Sequence, residues 1–384
     1  MKHAKTMLWI LGVLLALIAA KAIWVKNATR HIGSFNEEKS ELLRRRNYVM
    51  GKVITKPQTL IDRMPAAIGE QFQGEWALYS CSMLSASLVN LSKLYPETKE
   101  ESIAAVDSLI KIVMSPELRK YDRIRWGEDP LMTLDGEKSH ISYLSHLAWM
   151  IAGYKQIGGS NKYDDLFHEL CSTMNRRLLS SPNMNLETYP GEYVYIPDML
   201  VAIVALNLYS RQYGGKYSST VRKWLDNIQA KHLDENGIIA SVVLYDYDEP
   251  HCIAVKGSYT ALSCYYLTFI DEAFAKEQYE KFKTHFLKNR PLTGFREYSY
   301  KSPLLAFDID AGVILYGLSP SGTAFGIGPV TYFGDTDLRK DILRSAEIVG
   351  TTVTLGSKSH YFLANMALVG EAIALAMRTH TDNP

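Results

Sequence analysis

Two kinds of apolar pattern alternate along most of the chain. The first is small and apolar on nearly every side: ALYSCSMLSASLVNL from Ala77, DMLVAIVALNLY from Asp198, and ANMALVGEAIALAM ending at Met377. The second carries a single apolar stripe among many charges: KYDDLFHELCSTMNRRLL from Lys162, STVRKWLDNIQAKHL from Ser219, and AKEQYEKFKTHFLK from Ala275. Helices apolar all round belong in a core, and amphipathic helices face water on one side. The pattern therefore predicts an inner and an outer set of helices.

The two kinds come in pairs. First helices are expected over Glu75 to Tyr95, His140 to Tyr154, Tyr193 to Tyr213, Tyr259 to Ile270 and Ser321 to Phe333, each ending in a tight corner. The corners fall at residues 96, 159, 215, 272 and 334, spaced 63, 56, 57 and 62 apart. A sixth apolar helix is expected over Lys358 to Met377, with a partner drawn from between Phe35 and Glu70. A period of one helical hairpin plus a loop, repeated in series, signals an array or a closed ring. Six pairs predict an all-α fold, an (α/α)6 toroid over residues 74–384, preceded by linker and first helices over 31–73. An open α-solenoid is the alternative, and it would leave apolar ends uncapped.

Turns from inner to outer helix are short, whereas the returns are long: about Ser115 to Ser139, Ser180 to Glu192, His232 to Lys256 and Arg290 to Pro320. All the long loops thus fall on one rim, at the N-termini of the inner helices. Long loops in a compact domain are usually functional, and helix N-termini there favour negative charge. A cleft is expected on that rim. Strands are expected to be scarce, with short ladders at Glu192 to Ile196 and Ile238 to Tyr245. Ser319 followed by Pro320 forms a helix start, and Pro329 is expected to kink that helix.

Residues 1–30 stand apart. Lys2 and Lys5 precede an apolar run from Met7 to Ala20, which resumes after Lys21 as Ala22 to Val25. Counted to Val25 the run nears the ~20 residues of a spanning helix. Counted to Ala20 it resembles a signal-peptide core, with Ala20-Lys21-Ala22 as a small-x-small cleavage site. Lys21 in an anchor has to snorkel. We favour a single-pass anchor in the cell membrane, with the remainder on the periplasmic or extracellular side; cleavage is the alternative. Lys26 and Arg30 flank the run on its far side, so the charge bias fixes no orientation.

The balance of 42 basic against 41 acidic residues leaves a net charge of +1, which excludes a nucleic-acid partner read from charge. The 24 tyrosines and 6 tryptophans suit stacking on sugars or core packing. Four cysteines (Cys81, Cys171, Cys252 and Cys264) show no metal-ligand spacing, and in an oxidising compartment they allow three pairings.

Candidate chemistry concentrates between Gly294 and Gly334. Asp308 and Asp310 lie two apart, so in an extended segment both face one side. Like charges held close form an acid/base pair; the competing reading has one capping a helix and the other pairing with Arg296. Asp198 opens an inner helix after Pro197, in ETYPGEYVYIPDM, with Tyr193 beside it. Glu75, Trp76 and Tyr79 open the first inner helix, a carboxylate with aromatic neighbours. His140, Tyr143 and His146 recur every three residues and roughly share a face; their spacing does not fit two metal ligands one turn apart. The candidate catalytic set is Asp308, Asp310, Asp198, Glu75 and His140. Trp76, Tyr79, Tyr193, Tyr259, Arg296 and His146 are the candidate substrate contacts. No cofactor and no metal is expected, since G-x-S-x-G, P-loop, dinucleotide and H-E-x-x-H motifs are all missing from the sequence.

The helical repeat, the motif Phe307-Asp308-Ile309-Asp310-Ala311-Gly312 and the tail Ser319 to Gly328 resemble a group of membrane-anchored bacterial proteins with a six-hairpin, glycosidase-like toroid. The stretches GYKQIGGSNKYDDLF and TYPGEYVYIPDM resemble the linalool dehydratase/isomerase family, which shares that toroid. That family carries a cysteine before the third inner helix, and Met184 to Asp198 has none. The first resemblance implies an envelope enzyme acting on a carbohydrate or glycan through rim carboxylates. The second implies a dehydratase/isomerase that works on an apolar alcohol with His140 or His146. A non-catalytic toroid binding a partner or glycan is the third expectation, and it requires rim carboxylates that diverge.

Overall fold

A computed structural model describes residues 2–246, 249–300, 304–362 and 368–381. Its helices in chain order are α1 (Lys2–Ala28), α2 (Phe35–Val53), α3 (Pro57–Asp62), α4 (Glu70–Leu94), α5 (Lys99–Val113), α6 (Pro116–Trp126), α7 (Ile141–Gln156), α8 (Asp164–Ser180), α9 (Ile196–Gln212), α10 (Ser218–Lys231), α11 (Gly257–Leu267), α12 (Glu272–Phe286), α13 (Pro320–Tyr332), α14 (Thr336–Gly350) and α15 (Leu368–Arg378). Helices α4, α7, α9, α11, α13 and α15 follow one another round a ring, and α15 packs back on α4. Outside them lie α5, α8, α10, α12 and α14, with α2 against α15 as the sixth partner. The molecule is an (α/α)6 toroid.

The pattern of side chains explains the layers. Every residue of α9 from Ile196 to Leu206 is buried, as is α7 from Ile141 to Tyr154. The outer helix α10 buries only Thr220, Val221, Trp224, Leu225 and Ile228, one stripe at helical spacing. The more polar α2 adds buried charge to its apolar contacts through Leu42, Val49 and Val53. Glu38 is fully buried and meets Arg339 of α14 and Arg378 of α15, while Glu41 meets Arg45 and Arg378. Its start is fixed by Ser34 and Glu37, which cap each other reciprocally.

Ser319 caps α13 as expected, accepting from the Gly322 amide at 2.9 Å, and α13 continues through Pro329. Other expectations need correction. The sixth inner helix does not begin at Lys358: Lys358–Tyr361 is a strand, residues 363–367 lie outside the described set, and the described helix runs from Leu368 to Arg378. Strand content on the rim is also richer than expected. Strands β1 (Val194–Tyr195), β2 (Val242–Asp246) and β3 (Glu249–Ala254) form one antiparallel sheet. Three two-stranded hairpins follow: β4 (Leu287–Lys288) with β5 (Gly294–Phe295), β6 (Leu305–Asp308) with β7 (Gly312–Leu315), and β8 (Thr352–Leu355) with β9 (Lys358–Tyr361). Short strands of four residues carry too little periodicity to stand out from loops. All of them lie in returns from outer to inner helices, so they decorate the rim where the inner helices begin. The four cysteines are unpaired, and only Cys252 is exposed.

Candidate functional site

The N-terminal parts of the inner helices form the floor of the rim. Glu75, Trp76 and Tyr79 come from α4, Asp198 from the first turn of α9 behind Pro197, and Tyr259 from the first turn of α11. Arg125 comes from the end of α6. The β6–β7 hairpin arches over from the α11–α13 side carrying Asp308 and Asp310.

That hairpin is not an extended run with both aspartates on one side. Asp308 ends β6 and its Oδ1 accepts from the amides of Asp310 at 2.9 Å and Ala311 at 3.1 Å. Gly312, at φ 79°, completes the reversal into β7. Both side chains nevertheless converge, because Lys256 Nζ lies 2.8 Å from Asp308 Oδ2 and 2.8 Å from Asp310 Oδ2. The alternative pairing of this motif with Arg296 is not what forms: Lys256 takes both carboxylates. Arg296 instead joins through its backbone, its amide donating to Phe286 O at 2.8 Å.

Lys256 is the N-cap residue of α11, and Glu297, fully buried, lies 3.9 Å from its ammonium. Glu297 accepts from the Ser258 amide and hydroxyl at 3.2 and 2.7 Å. The close approach of this strand to the helix start requires Gly257: a Cβ there would lie 1.8 Å from Arg296 O. Burial works against the Lys256 charge, yet Asp310 and Asp308 hold its pKa above the ordinary lysine value. Burial likewise pushes the Asp308 carboxyl up, but Lys256 and the two amides overcome it and hold Asp308 below the usual range.

The two carboxylates of the helical floor behave in the opposite sense. Burial raises Glu75 to about 8; Arg125, 3.5 Å away, opposes the rise, while Asp198 and Asp310 add to it. Burial raises Asp198 to about 6, against hydrogen bonds from Thr188 Oγ1 at 2.9 Å and Tyr79 Oη at 3.0 Å, with Asp310 again adding to the rise. Glu75, Asp198 and Asp310 therefore share one electrostatic environment although they come from three distant parts of the chain. Arg125 is set in place by stacking over Tyr189, 3.4 Å from the ring centroid. Tyr259 lies under the Lys256 ammonium at 5.2 Å and meets Tyr195 edge-on at 6.0 Å. Near neutral pH such a site holds a carboxyl kept protonated, Glu75, beside the lower-titrating Asp198, the arrangement acid/base chemistry needs.

The remaining sequence candidates are not part of the carboxylate cluster. His140 is fully buried at the N-cap of α7 with φ 46°, its Nδ1 2.5 Å from Asp122 and its Nε2 3.4 Å from Glu128. Its partners are thus the residues of α6 and the loop after it. His146 is fully buried behind Tyr79, with ring centroids 4.4 Å apart, and burial lowers its pKa to about 3, so it stays neutral. Tyr143 donates to Val113 O on α5 at 3.0 Å. The three do not share a face toward the cleft: their i, i+3 spacing leads round a helix buried on all sides. Tyr193 is exposed, and Trp76 is half-buried on the floor. A cavity of about 350 Å³ opens farther along the rim between Trp126, Lys138, Asn185, Glu187 and Tyr245, and none of the clustered carboxylates lines it.

Lys256, Arg125, Thr188, Tyr189 and Glu297 were not foreseen from the sequence. Lys256 carried a usable signal, since a cation at a helix N-terminus opposes the dipole and calls for nearby carboxylates.

No known protein family matches the chain as a whole or in part. In three dimensions it is similar to a crystal structure of an unsaturated glucuronyl hydrolase specific for heparin. That match has a TM-score of 0.55 and 11% sequence identity, over 93% of this chain and 96% of that one. At this identity the likeness is one of fold, the six-hairpin glycosidase toroid. It supports the shared toroid and adds no support to the resemblance to the linalool dehydratase/isomerase family.

Proposed function

We propose that the protein is a membrane-anchored, exported enzyme that hydrolyses a glycan at this rim by acid/base chemistry. The observation that carries the reading is the convergence of Glu75, Asp198 and Asp310, with the first two separated by environment to about 8 and about 6. A binding toroid without catalysis requires no such convergence. The likeness to a glucuronyl hydrolase supports a carbohydrate as the substrate class.

In this reading Glu75 is the general acid. Its proton passes to the glycosidic oxygen as the bond from that oxygen to the anomeric carbon breaks. A water oxygen bonds to the anomeric carbon, and the proton that water loses passes to Asp198, held in orientation by Tyr79 and Thr188. Asp310, fixed by Lys256, accepts from sugar hydroxyls, and Trp76 and Tyr259 offer ring faces for stacking. Arg125 keeps Glu75 from rising further. Apolar helix α1, in which Trp9–Ala28 is long and apolar enough to cross a bilayer, supplies the anchor through its part before Lys21.

The test is release of reducing ends from a panel of neutral and uronic-acid glycans. Wild-type protein is expected to cleave at least one class, with Glu75→Gln and Asp198→Asn each slower by about 10²–10⁴-fold. Cleavage that survives both substitutions would refute the assignment.

A further inference from the structure

The orientation of α1 carries a consequence for where the cleft points. Helix α14 runs from the base of the toroid to its rim. Its first turn holds Arg339 against Glu38 at the start of α2, and its last turn leads into the β8–β9 hairpin. Helix α1 runs the other way. Thr29 and Ile32 are buried at the base, one turn before the Ser34 cap, whereas Lys21 reaches the rim end of α14. There its ammonium donates to Glu347 O at 3.0 Å and to the Thr351 hydroxyl, and Trp24 donates to Glu347 Oε1 at 2.9 Å. The helix is continuous from Lys2 to Ala28, so everything before Lys21 projects beyond the rim. The apolar run from Met7 to Ala20, fourteen residues at 1.5 Å each, covers ~21 Å of the ~30 Å of bilayer hydrocarbon.

Independent of α1, the β6–β7 part of the rim is apolar on its outward side. In the β6–β7 hairpin Leu305 pairs with Leu315 and Phe307 with Val313. These four side chains share one face of the ribbon and are 45–73% exposed. The opposite face holds buried Ile314 and the Asp308 carboxylate on Lys256. Period-2 alternation places aliphatic and aromatic groups outward and the acids inward, the reverse of a solvated hairpin. On the β8–β9 side, next to Lys21, Leu355 and Phe362 are exposed as well.

We propose that the toroid sits rim-down on the bilayer from which α1 emerges, with the β6–β7 and β8–β9 hairpins dipping into the lipid interface. The cleft then faces the membrane, and its substrate is an amphiphile: a glycan whose lipid anchor stays in the bilayer while the sugar enters between the hairpins. The substrate class rests on the hydrolase reading above; the seating does not. Lys21 lies at the interface, its charge satisfied by α14, and has no need to snorkel.

The experiment uses the full chain in vesicles of phosphatidylcholine and phosphatidylglycerol, on a Cys252→Ser background that leaves only the three buried cysteines. An environment-sensitive fluorophore is attached at Phe307→Cys, Leu355→Cys or, at the base, Lys216→Cys. Brominated lipid is expected to quench most of the emission at the first two positions and none at the third. Quenching at the base, or at no position, overturns the seating. So does an unquenched Phe307→Cys probe in protein that cross-links as pairs, which would mean that a second copy covers the hairpin. In a second arm, Leu305→Glu with Phe307→Glu is compared with wild type on a lipid-linked glycan and on its water-soluble head. The expected result is loss of the first activity with retention of the second. Equal retention of both overturns the substrate claim. Wild-type inactivity on both, with the quenching pattern intact, refutes the hydrolase reading and leaves the seating standing.

Discussion

Replacing Glu75 by Gln removes one ionisable group while keeping its shape, and the structure states what that should do to stability as pH changes. In the unfolded chain the carboxyl titrates at its ordinary value of 4.5, and in the folded site at about 8. Between those values the native state binds a proton that the unfolded state has released. Folding is therefore favoured by this group below 4.5, and that contribution is lost as pH rises through 8. A gap of roughly 3.5 pH units at 1.36 kcal/mol each amounts to about 5 kcal/mol. The Glu75 side chain keeps 18% exposure to the cleft, so solvent screening reduces the figure, to about 2–3 kcal/mol. Glu75→Gln lacks this slope. Denaturant unfolding from pH 5 to pH 9 should show the variant gaining on wild type by that amount, with the gain complete just above pH 8. Asp198 is raised in the same sense and is coupled to Glu75, so the double variant Glu75→Gln with Asp198→Asn, measured against Asp198→Asn alone, isolates the Glu75 slope. A stability difference that is flat with pH, or that favours wild type as pH rises, would refute a buried, protonated Glu75.

Other outcomes follow from the same site. Lys256→Met strips the partner from Asp308 and Asp310, which are partly exposed, and should cost about 1–3 kcal/mol near neutral pH by denaturant unfolding. Because Asp308 is held low, that deficit should be full above its ordinary carboxylate range and shrink as pH falls through its depressed folded value. Arg125→Gln removes the charge that opposes the rise of Glu75, so the alkaline limb of the pH–rate profile should move to higher pH. Gly257→Ala drives a methyl into Arg296 O and should cost about 3 kcal/mol or more by thermal or denaturant unfolding, since backbone cannot yield as a side chain does.

The toroid was legible because its signal is long-range and redundant. Helices such as α9, buried at every position, and α10, buried along one stripe, announce their layers independently, and the corners repeat. The rim was legible from loop length alone, and Glu75, Asp198 and Asp310 were all named as candidates. What the sequence did not carry was local chain reversal and partner choice. Phe307 to Gly312 reads as extended until the Asp308 carboxylate is seen bonding its own following amides. Its cationic partner is 52 residues upstream, a separation no periodicity reports. Lys358 to Tyr361 merges with an apolar helix on paper, yet it pairs with Thr352 to Leu355 across a two-residue turn. His140 and His146 looked available because helical spacing gives a face but not what packs on it.

The most direct test of the account is the pH dependence of kcat/KM on whichever glycan is cleaved, for wild type, Asp198→Asn and Glu75→Gln. A bell is expected, with an acid limb near 6 from Asp198 and an alkaline limb near 8 from Glu75. The residual activity of Asp198→Asn should lose the acid limb, and that of Glu75→Gln the alkaline limb. A profile without a fall near 8, or limbs that persist unchanged in both variants, would contradict the claim that these two carboxylates move the protons.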